Sequence, residues 1–69
     1  MNKIKTYRMA AGISQEALAE EMDVTRQTII SLENGKYTAS LKLAYKLARY
    51  FDTTIEDIFF SASDTEKGV

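Results

Sequence analysis

The sequence of 69 residues contains no cysteine, no histidine, no proline and no tryptophan. Without cysteine the chain has no disulfide, no thiolate metal site and no thiol nucleophile. Without histidine it also lacks the commonest general base and metal ligand. A pair of carboxylates is the remaining route to catalysis, but the adjacent acids at 20–21 and 56–57 diverge on a helix. We therefore expect no enzyme activity, no bound metal and no cofactor.

Long apolar runs are also missing. No stretch approaches the roughly 20 apolar residues that span a membrane, and the first ten residues, MNKIKTYRMA, lack the apolar core of a signal peptide. With 45% hydrophobic and 28% charged residues, the composition is typical of one small helical domain. We therefore expect a cytoplasmic protein with no membrane partner.

The charged residues are segregated along the chain, although the net charge is only −1. Basic residues dominate 1–13 and 24–51, whereas acidic residues dominate 14–23 and 52–69. An average charge near zero argues against a nucleic-acid partner, because basic side chains supply the phosphate contacts. Folding can nevertheless place the basic blocks on one side of the molecule. The alternative, a solvated helix face, stays open for Lys42, Lys46 and Lys67 individually.

Residues 14–35 are predicted to form two short helices joined by a tight turn. Ser14 is the predicted N-cap of the first helix, and Thr25 is that of the second. The second helix of this pair carries the apolar residues Ile29 and Leu32 and ends at Gly35, a C′ residue. Because the second helix begins with the polar run TRQT, the pair is typical of a helix-turn-helix that reads the major groove of DNA.

This stretch resembles the lambda-repressor-like, or XRE, family of helix-turn-helix regulators. The residues that match the family's run are Ser14, Gln15, Leu18, Ala19, Val24, Thr25, Thr28, Ile29, Leu32, Glu33, Asn34 and Gly35. The resemblance covers about residues 3–60 and implies an all-α domain of five helices, with the helix-turn-helix at helices two and three. It divides the chain into a domain at 1–60 and a polar tail at 61–69.

The third helix is predicted to run from Arg26 to Asn34 and to read bases. With Ile29 and Leu32 facing the core, helical periodicity leaves a polar stripe on the opposite side. The predicted base contacts are Thr25, Arg26, Gln27, Ile30 and Ser31. Glutamine can pair with adenine, arginine with guanine, and an exposed isoleucine with a thymine methyl group. The alternative for Ile30, a lone apolar surface residue, stays open.

The resemblance implies further roles around this helix. Gln15, Asn34 and Lys36 match positions that meet the DNA backbone, although Gln15 is also typical of an exposed first-turn residue and Asn34 of a helix cap. Arg8 and Glu33 match a structural ion pair. A buried guanidinium needs such a carboxylate, because two parallel hydrogen bonds can form between them.

Three further helices are predicted. The first covers 3–11, with Ile4, Tyr7, Arg8 and Ala11 on one face, and the fourth runs from a cap at Ser40 to Phe51 as a core helix that includes Leu41. The fifth covers 55–59, where Thr54 and Asp57 resemble a capping box. Asp23 and Asp52 stand where relatives often carry glycine, and aspartate tolerates the left-handed conformation required there.

A homodimer is expected, because short relatives dimerise through their last helix and the segment beyond it. The predicted interface residues are Tyr50, Ile55, Ile58, Phe59 and Phe60. The chain is thus predicted to be a sequence-specific transcriptional regulator, a repressor that binds a near-palindromic site in double-stranded DNA, with no small-molecule ligand. The alternative is an antitoxin or protein-interaction module of the same fold.

Overall fold

The computed structural model describes residues 2–60, which form five α-helices and no strand. The helices are α1 Ile4–Ala10, α2 Gln15–Met22, α3 Arg26–Glu33, α4 Leu41–Tyr50 and α5 Ile55–Phe59. The predicted all-α, five-helix fold is therefore confirmed, whereas the predicted tail at 61–69 lies outside the described residues. None of these helices has the length and apolarity that crossing a membrane requires.

Four helices begin at the N-cap residues that the sequence predicts. Each cap's side-chain oxygen accepts a hydrogen bond from the backbone N–H three residues later, at distances between 3.0 and 3.2 Å. The caps are Ser14, Thr25, Ser40 and Thr54. Each bond satisfies one of the N–H groups that a helix start leaves unpaired, so local sequence alone fixes where these helices begin.

Four helices also end in the same way. A residue with a left-handed backbone follows each of α1 to α4, and the next amide donates to the carbonyl five residues back. The left-handed residues are Gly12, Asp23, Gly35 and Asp52, with φ between 55° and 73°. This is the Schellman arrangement, which turns the chain sharply while satisfying the last carbonyls of the helix. The prediction that aspartate can replace glycine in these turns is confirmed.

One apolar core connects all five helices. Its buried residues are Ile4, Leu18, Ala19, Met22, Ile29, Leu32, Leu43, Leu47 and Ile58. Two expectations about apolar faces are wrong. Ala11 is exposed, and Leu41 is 78% exposed, because it lies about 200° around α4 from the buried Leu43.

Ile58 requires a further correction, because it was expected in the dimer interface. Its side chain is 0% exposed, and its carbonyl accepts a 2.7 Å hydrogen bond from the Lys3 backbone N–H. The helix α5 has only five residues and needs its single apolar face to dock against the domain. Ile58 therefore stabilises the single chain and is not available to a partner surface.

A polar cluster holds α5 against α1. The Asp57 carboxylate accepts hydrogen bonds from the Tyr7 hydroxyl and from Thr53, the latter at 2.9 Å, and pairs with the Lys3 ammonium at 3.2 Å. The hydrogen bond from Tyr7 is the main cause that lowers the pKa of Asp57, followed by those from Thr53 and Lys3. The predicted capping box is thus half formed: Thr54 caps α5, but the Asp57 side chain turns to α1.

Candidate nucleic-acid interface

The helix-turn-helix is built by a turn of three residues between α2 and α3. Asp23 ends α2 with φ at 59°, Val24 packs against the core, and the Thr25 hydroxyl accepts the Thr28 amide at 3.2 Å. The two helices pack directly against each other. Since the turn is short and capped on both sides, it fixes how α3 projects from the domain.

The exposed face of α3 carries the predicted base contacts. Thr25, Arg26 and Gln27 are exposed, while Ile30 and Ser31 are half-buried. Gln27 Nε2 lies 3.5 Å from Ser31 Oγ, one turn further along the helix. No ion pair within residues 2–60 engages the Arg26 guanidinium. This face therefore presents a row of hydrogen-bonding groups, which is the chemistry needed to bind base edges.

A buried ion pair fixes the other side of α3. Arg8 Nε lies 2.6 Å from Glu33 Oε2, and its Nη2 lies 3.3 Å from Oε1. The same guanidinium donates to the Ile13 carbonyl at 2.9 Å, and Gln15 Nε2 donates to Glu33 Oε1 at 3.2 Å. The structure thus brings the expected pair together, with Glu33 only 7% exposed. Through one carboxylate, α1 and the start of α2 are linked to the end of α3.

The three predicted phosphate contacts lie around the C-terminal end of α3. Gln15 reaches this end through its hydrogen bond to Glu33. This bond uses one of the two amide hydrogens of Gln15. Asn34 is the residue that ends α3, and both Asn34 and Lys36 are exposed. These amide and ammonium groups therefore border the face that carries Gln27 and Ser31.

The predicted interface residues do not all lie together. Ile55, Phe59 and Phe60 line a groove of about 550 Å³, together with Tyr37 and the unexpectedly exposed Leu41. We call this the apolar groove. Tyr50 does not line the apolar groove. It borders a separate hollow, together with Met22, Tyr45, Lys46 and Arg49.

Two side chains with a structural role were not predicted. Asn2 Oδ1 accepts the Ile4 amide at 3.1 Å, and its Nδ2 donates to the Leu32 carbonyl of α3 at 2.7 Å. Lys46 donates to the Met22 carbonyl at the end of α2 at 2.8 Å. The contacts with the Leu32 and Met22 carbonyls link residues more than 20 positions apart, so no local pattern in the sequence indicates them.

Comparison with known proteins identifies the family. A family profile described as helix-turn-helix matches residues 4–58. An uncharacterized HTH-type transcriptional regulator of Methanocaldococcus jannaschii is 52% identical over 63 residues, covering 91% of this chain and 96% of the relative. The HTH-type regulator YgzD of Bacillus subtilis is 46% identical, covering 86% of this chain and 89% of the relative.

A third relative extends the match nearly along the whole chain. The control protein C.MunI of a Mycoplasma species is 36% identical over 67 residues, covering 96% of this chain and 86% of the relative. The matched range includes both helices of the helix-turn-helix and the face of α3 that carries its polar residues. The chain belongs to the lambda-repressor-like (XRE) helix-turn-helix family of DNA-binding transcriptional regulators.

Proposed function

We propose that this protein is a repressor that binds a near-palindromic operator as a homodimer, with α3 of each copy in a major groove. The observation that carries the proposal is the exposed polar face of α3, held by the buried pair Arg8–Glu33. A rigid helix can place several side chains on base edges at once, whereas a mobile one would lose conformational entropy on binding.

Base recognition is assigned to the residues on this face. Gln27 has the amide geometry for adenine, and Arg26 has the fork for guanine. Ser31 and Thr25 can bond several bases, and Ile30 is proposed to meet a thymine methyl group. Gln15, Asn34 and Lys36 are proposed to hold the DNA backbone, which sets the register of the helix in the groove.

The apolar groove supports the proposal of a homodimer. Three of its lining side chains are large and well exposed, with Tyr37 at 50%, Leu41 at 78% and Phe60 at 53%. Such a concentration of apolar surface is typical of an interface. A second copy placed by a two-fold axis would cover this groove in both chains. The two α3 helices would then meet successive major grooves about 34 Å apart.

Repression follows from where such a dimer would lie. A dimer across two turns of duplex excludes other proteins from the same base pairs. If the bound sequence overlaps a promoter, transcription from it falls. We therefore expect this protein to lower transcription in vitro from a template carrying its site, and to leave a template with a scrambled site unaffected.

Selection from a pool of random duplexes tests the dimeric, sequence-specific binding. We expect enrichment of an inverted repeat whose half-site centres are about 10 base pairs apart, because each copy reads one half-site. Enrichment of a single unrepeated half-site would contradict the dimer. A pool that shows no enrichment would contradict sequence-specific binding altogether.

A further inference from the structure

A cluster of two tyrosines and two cations lies on α4, and neither the base contacts nor the dimer uses it. Tyr45 and Arg49 are one helical turn apart, as are Lys46 and Tyr50, so the four side chains form two adjacent rows. We call this cluster the α4 outer face. Together with Met22 it lines a hollow of about 500 Å³, to which no acidic residue of the range 2–60 contributes.

Contacts within the domain hold the side chains of the α4 outer face in place. The Arg49 guanidinium carbon lies 5.8 Å from the centre of the Tyr45 ring, which is a cation–π arrangement. Lys46 donates to a carbonyl at the end of α2 at 2.8 Å, and the Tyr50 ring packs edge-on against Phe51, with 5.0 Å between the ring centres. A partner would meet side chains that are already ordered, which lowers the entropic cost of binding.

The positive charge of this face is not neutralised by the part of the chain that the structure describes. Neither Arg49 nor Lys46 forms an ion pair with any residue in 2–60. The exposed Arg49 guanidinium can therefore bind a carboxylate through two parallel hydrogen bonds. Beside it the Tyr45 and Tyr50 rings, 56% and 41% exposed, offer apolar surface. Tyrosine and arginine are enriched at protein interfaces, which favours a protein as the partner.

The α4 outer face lies apart from both surfaces assigned above. No residue of α3 lines its hollow. Lys42 shares a hollow with Thr28 of α3, whereas Arg49 lies seven positions, or about 10 Å, further along the α4 axis. No residue of this face lines the apolar groove. A protein bound to the α4 outer face would therefore leave the reading helix and the groove accessible.

We propose that the α4 outer face binds an acidic segment of a regulatory protein, and that it does so while the dimer holds DNA. An aspartate or glutamate of that segment pairs with Arg49, and a neighbouring apolar side chain packs against the Tyr45 and Tyr50 rings. Charge complementarity disfavours a basic segment. A nucleic acid fits less well, because a phosphate backbone is bound by a row of cations, and here two cations stand between two rings.

Only the second half of this inference rests on the proposed function. Binding of an acidic segment requires the folded domain alone. Simultaneous binding of DNA requires that α3 and the apolar groove have the roles proposed above. The two halves therefore need separate measurements.

Selection from a library of random displayed peptides on the immobilised wild-type protein tests the chemistry of the partner. We expect enrichment of peptides in which an acidic residue stands next to an aromatic or large aliphatic one. A second screen on Arg49→Glu should lose these peptides, because the substitution repels the carboxylate. Absence of enrichment, or enrichment only of peptides that Arg49→Glu retains, would overturn the inference.

The affinity of an enriched peptide, measured by fluorescence anisotropy, tests the individual side chains. Arg49→Glu should weaken binding by about tenfold or more, and Tyr45→Ser, which keeps every charge, by about threefold or more. Lys5→Glu is the matched control, because it makes the same charge reversal at an exposed residue of α1 that does not line this hollow. Equal effects of Arg49→Glu and Lys5→Glu would show attraction by overall charge alone and would overturn the site.

The same labelled peptide tests simultaneous binding when the protein is saturated with the selected operator. We expect its affinity to stay within about twofold of the value without DNA, because the two ligands use separate surfaces. Displacement of the peptide by the operator would overturn simultaneous binding. Weaker duplex binding by Arg49→Glu, with no acidic peptide enriched, would assign this face to DNA instead. If the protein prefers no duplex but binds the peptide, the proposed function fails and the acidic-segment site stands.

Discussion

The Glu33 side chain of α3 joins three helices of the domain. Its carboxylate is buried, and two side chains satisfy it, Arg8 at 2.6 Å and Gln15 at 3.2 Å. A buried charge that keeps its partners costs little, but one that loses its partner is strongly destabilising. The arrangement therefore matters for stability first and for the orientation of α3 second.

Arg8→Ala is predicted to lower the free energy of unfolding by about 3–5 kcal/mol, because it leaves the Glu33 carboxylate buried and unpaired. Urea unfolding followed by circular dichroism measures this loss. Arg49→Ala removes an exposed arginine and is the matched control, with an expected change of at most about 0.5 kcal/mol. Similar small losses for both variants would show that the pair does not stabilise the fold.

Gln27→Ala is predicted to separate base recognition from backbone binding. It should weaken binding to the selected operator by about 1–3 kcal/mol and change binding to a scrambled duplex much less. Lys36→Ala is the contrasting variant, because loss of a phosphate contact weakens both duplexes equally. Equal losses on both duplexes for Gln27→Ala would assign that side chain to the DNA backbone instead.

Helix ends are the element-scale feature that sequence predicts best. Each N-cap hydrogen bond joins residues three positions apart, so a short stretch of sequence contains both of its partners. The N-caps are Ser14, Thr25, Ser40 and Thr54. The same holds for the left-handed turns, where glycine or aspartate follows a helix. The packing of whole helices against one another depends on residues that are far apart in the sequence. The sequence therefore predicts this packing less completely than it predicts the helix ends.

Leu41 and Ile58 illustrate that limit. The apolar residues of α4 predict that Leu41 lies in the core. Leu41 is exposed because another face of α4 packs against the domain, and the sequence pattern does not show which face does so. Ile58 was expected in an interface because short relatives dimerise through their last helix, whereas the packing of α5 against α1 buries it. The Arg8–Glu33 contact, 25 positions apart, was expected only from the family resemblance.

Asp52→Gly is predicted to raise the free energy of unfolding by about 0.5–1 kcal/mol, because glycine has no Cβ to strain the left-handed backbone at φ 55°. Thermal unfolding of the variant measures the gain. Glu20→Gly places the same residue inside α2 and should instead cost about 1 kcal/mol. A loss of stability in both variants would show that the turn at Asp52 carries no strain.

The cluster around Asp57 makes the docking of α5 dependent on pH. Hydrogen bonds from Tyr7, Thr53 and Lys3 lower the pKa of Asp57 below its usual value of 3.8. The stabilisation from the charged carboxylate is therefore complete above pH 3.8 and is lost as the pH falls through the lowered value.

Comparison of the wild type with Asp57→Asn tests this dependence. The melting temperature of the variant should be lower by a constant amount near neutral pH, and the difference should shrink below pH 3.8. Asparagine keeps the shape of the side chain but cannot carry the charge. A difference that stays constant down to the lowest accessible pH would contradict the role of the carboxylate.

At the scale of the whole molecule, the distribution of charge matters more than its sum. The net charge is −1, yet the residues proposed to meet DNA include the cations Arg26 and Lys36 and no acid. The three acidic residues of α2, Glu16, Glu20 and Glu21, are all exposed. A weakly acidic protein can therefore bind a polyanion if its basic side chains share one side.

Leu41→Glu is predicted to dissociate the proposed homodimer, because it places a charge at the edge of the apolar groove without disturbing the core. Sedimentation velocity should give a dimer for the wild type and a monomer for the variant at the same concentration. The control is Tyr45→Glu, on the exposed side of α4 outside the groove, which should remain dimeric. A wild type that is monomeric throughout would contradict the dimer.

The most direct measurement of the central claim is fluorescence anisotropy of this protein with the selected operator and with a scrambled duplex, repeated over a salt series. Sequence-specific DNA binding predicts tighter binding to the operator at every salt concentration, and a slope that corresponds to several phosphate contacts for both duplexes. Equal affinity for the two duplexes, with weak dependence on salt, would contradict the claim and would point to a protein as the partner of this domain.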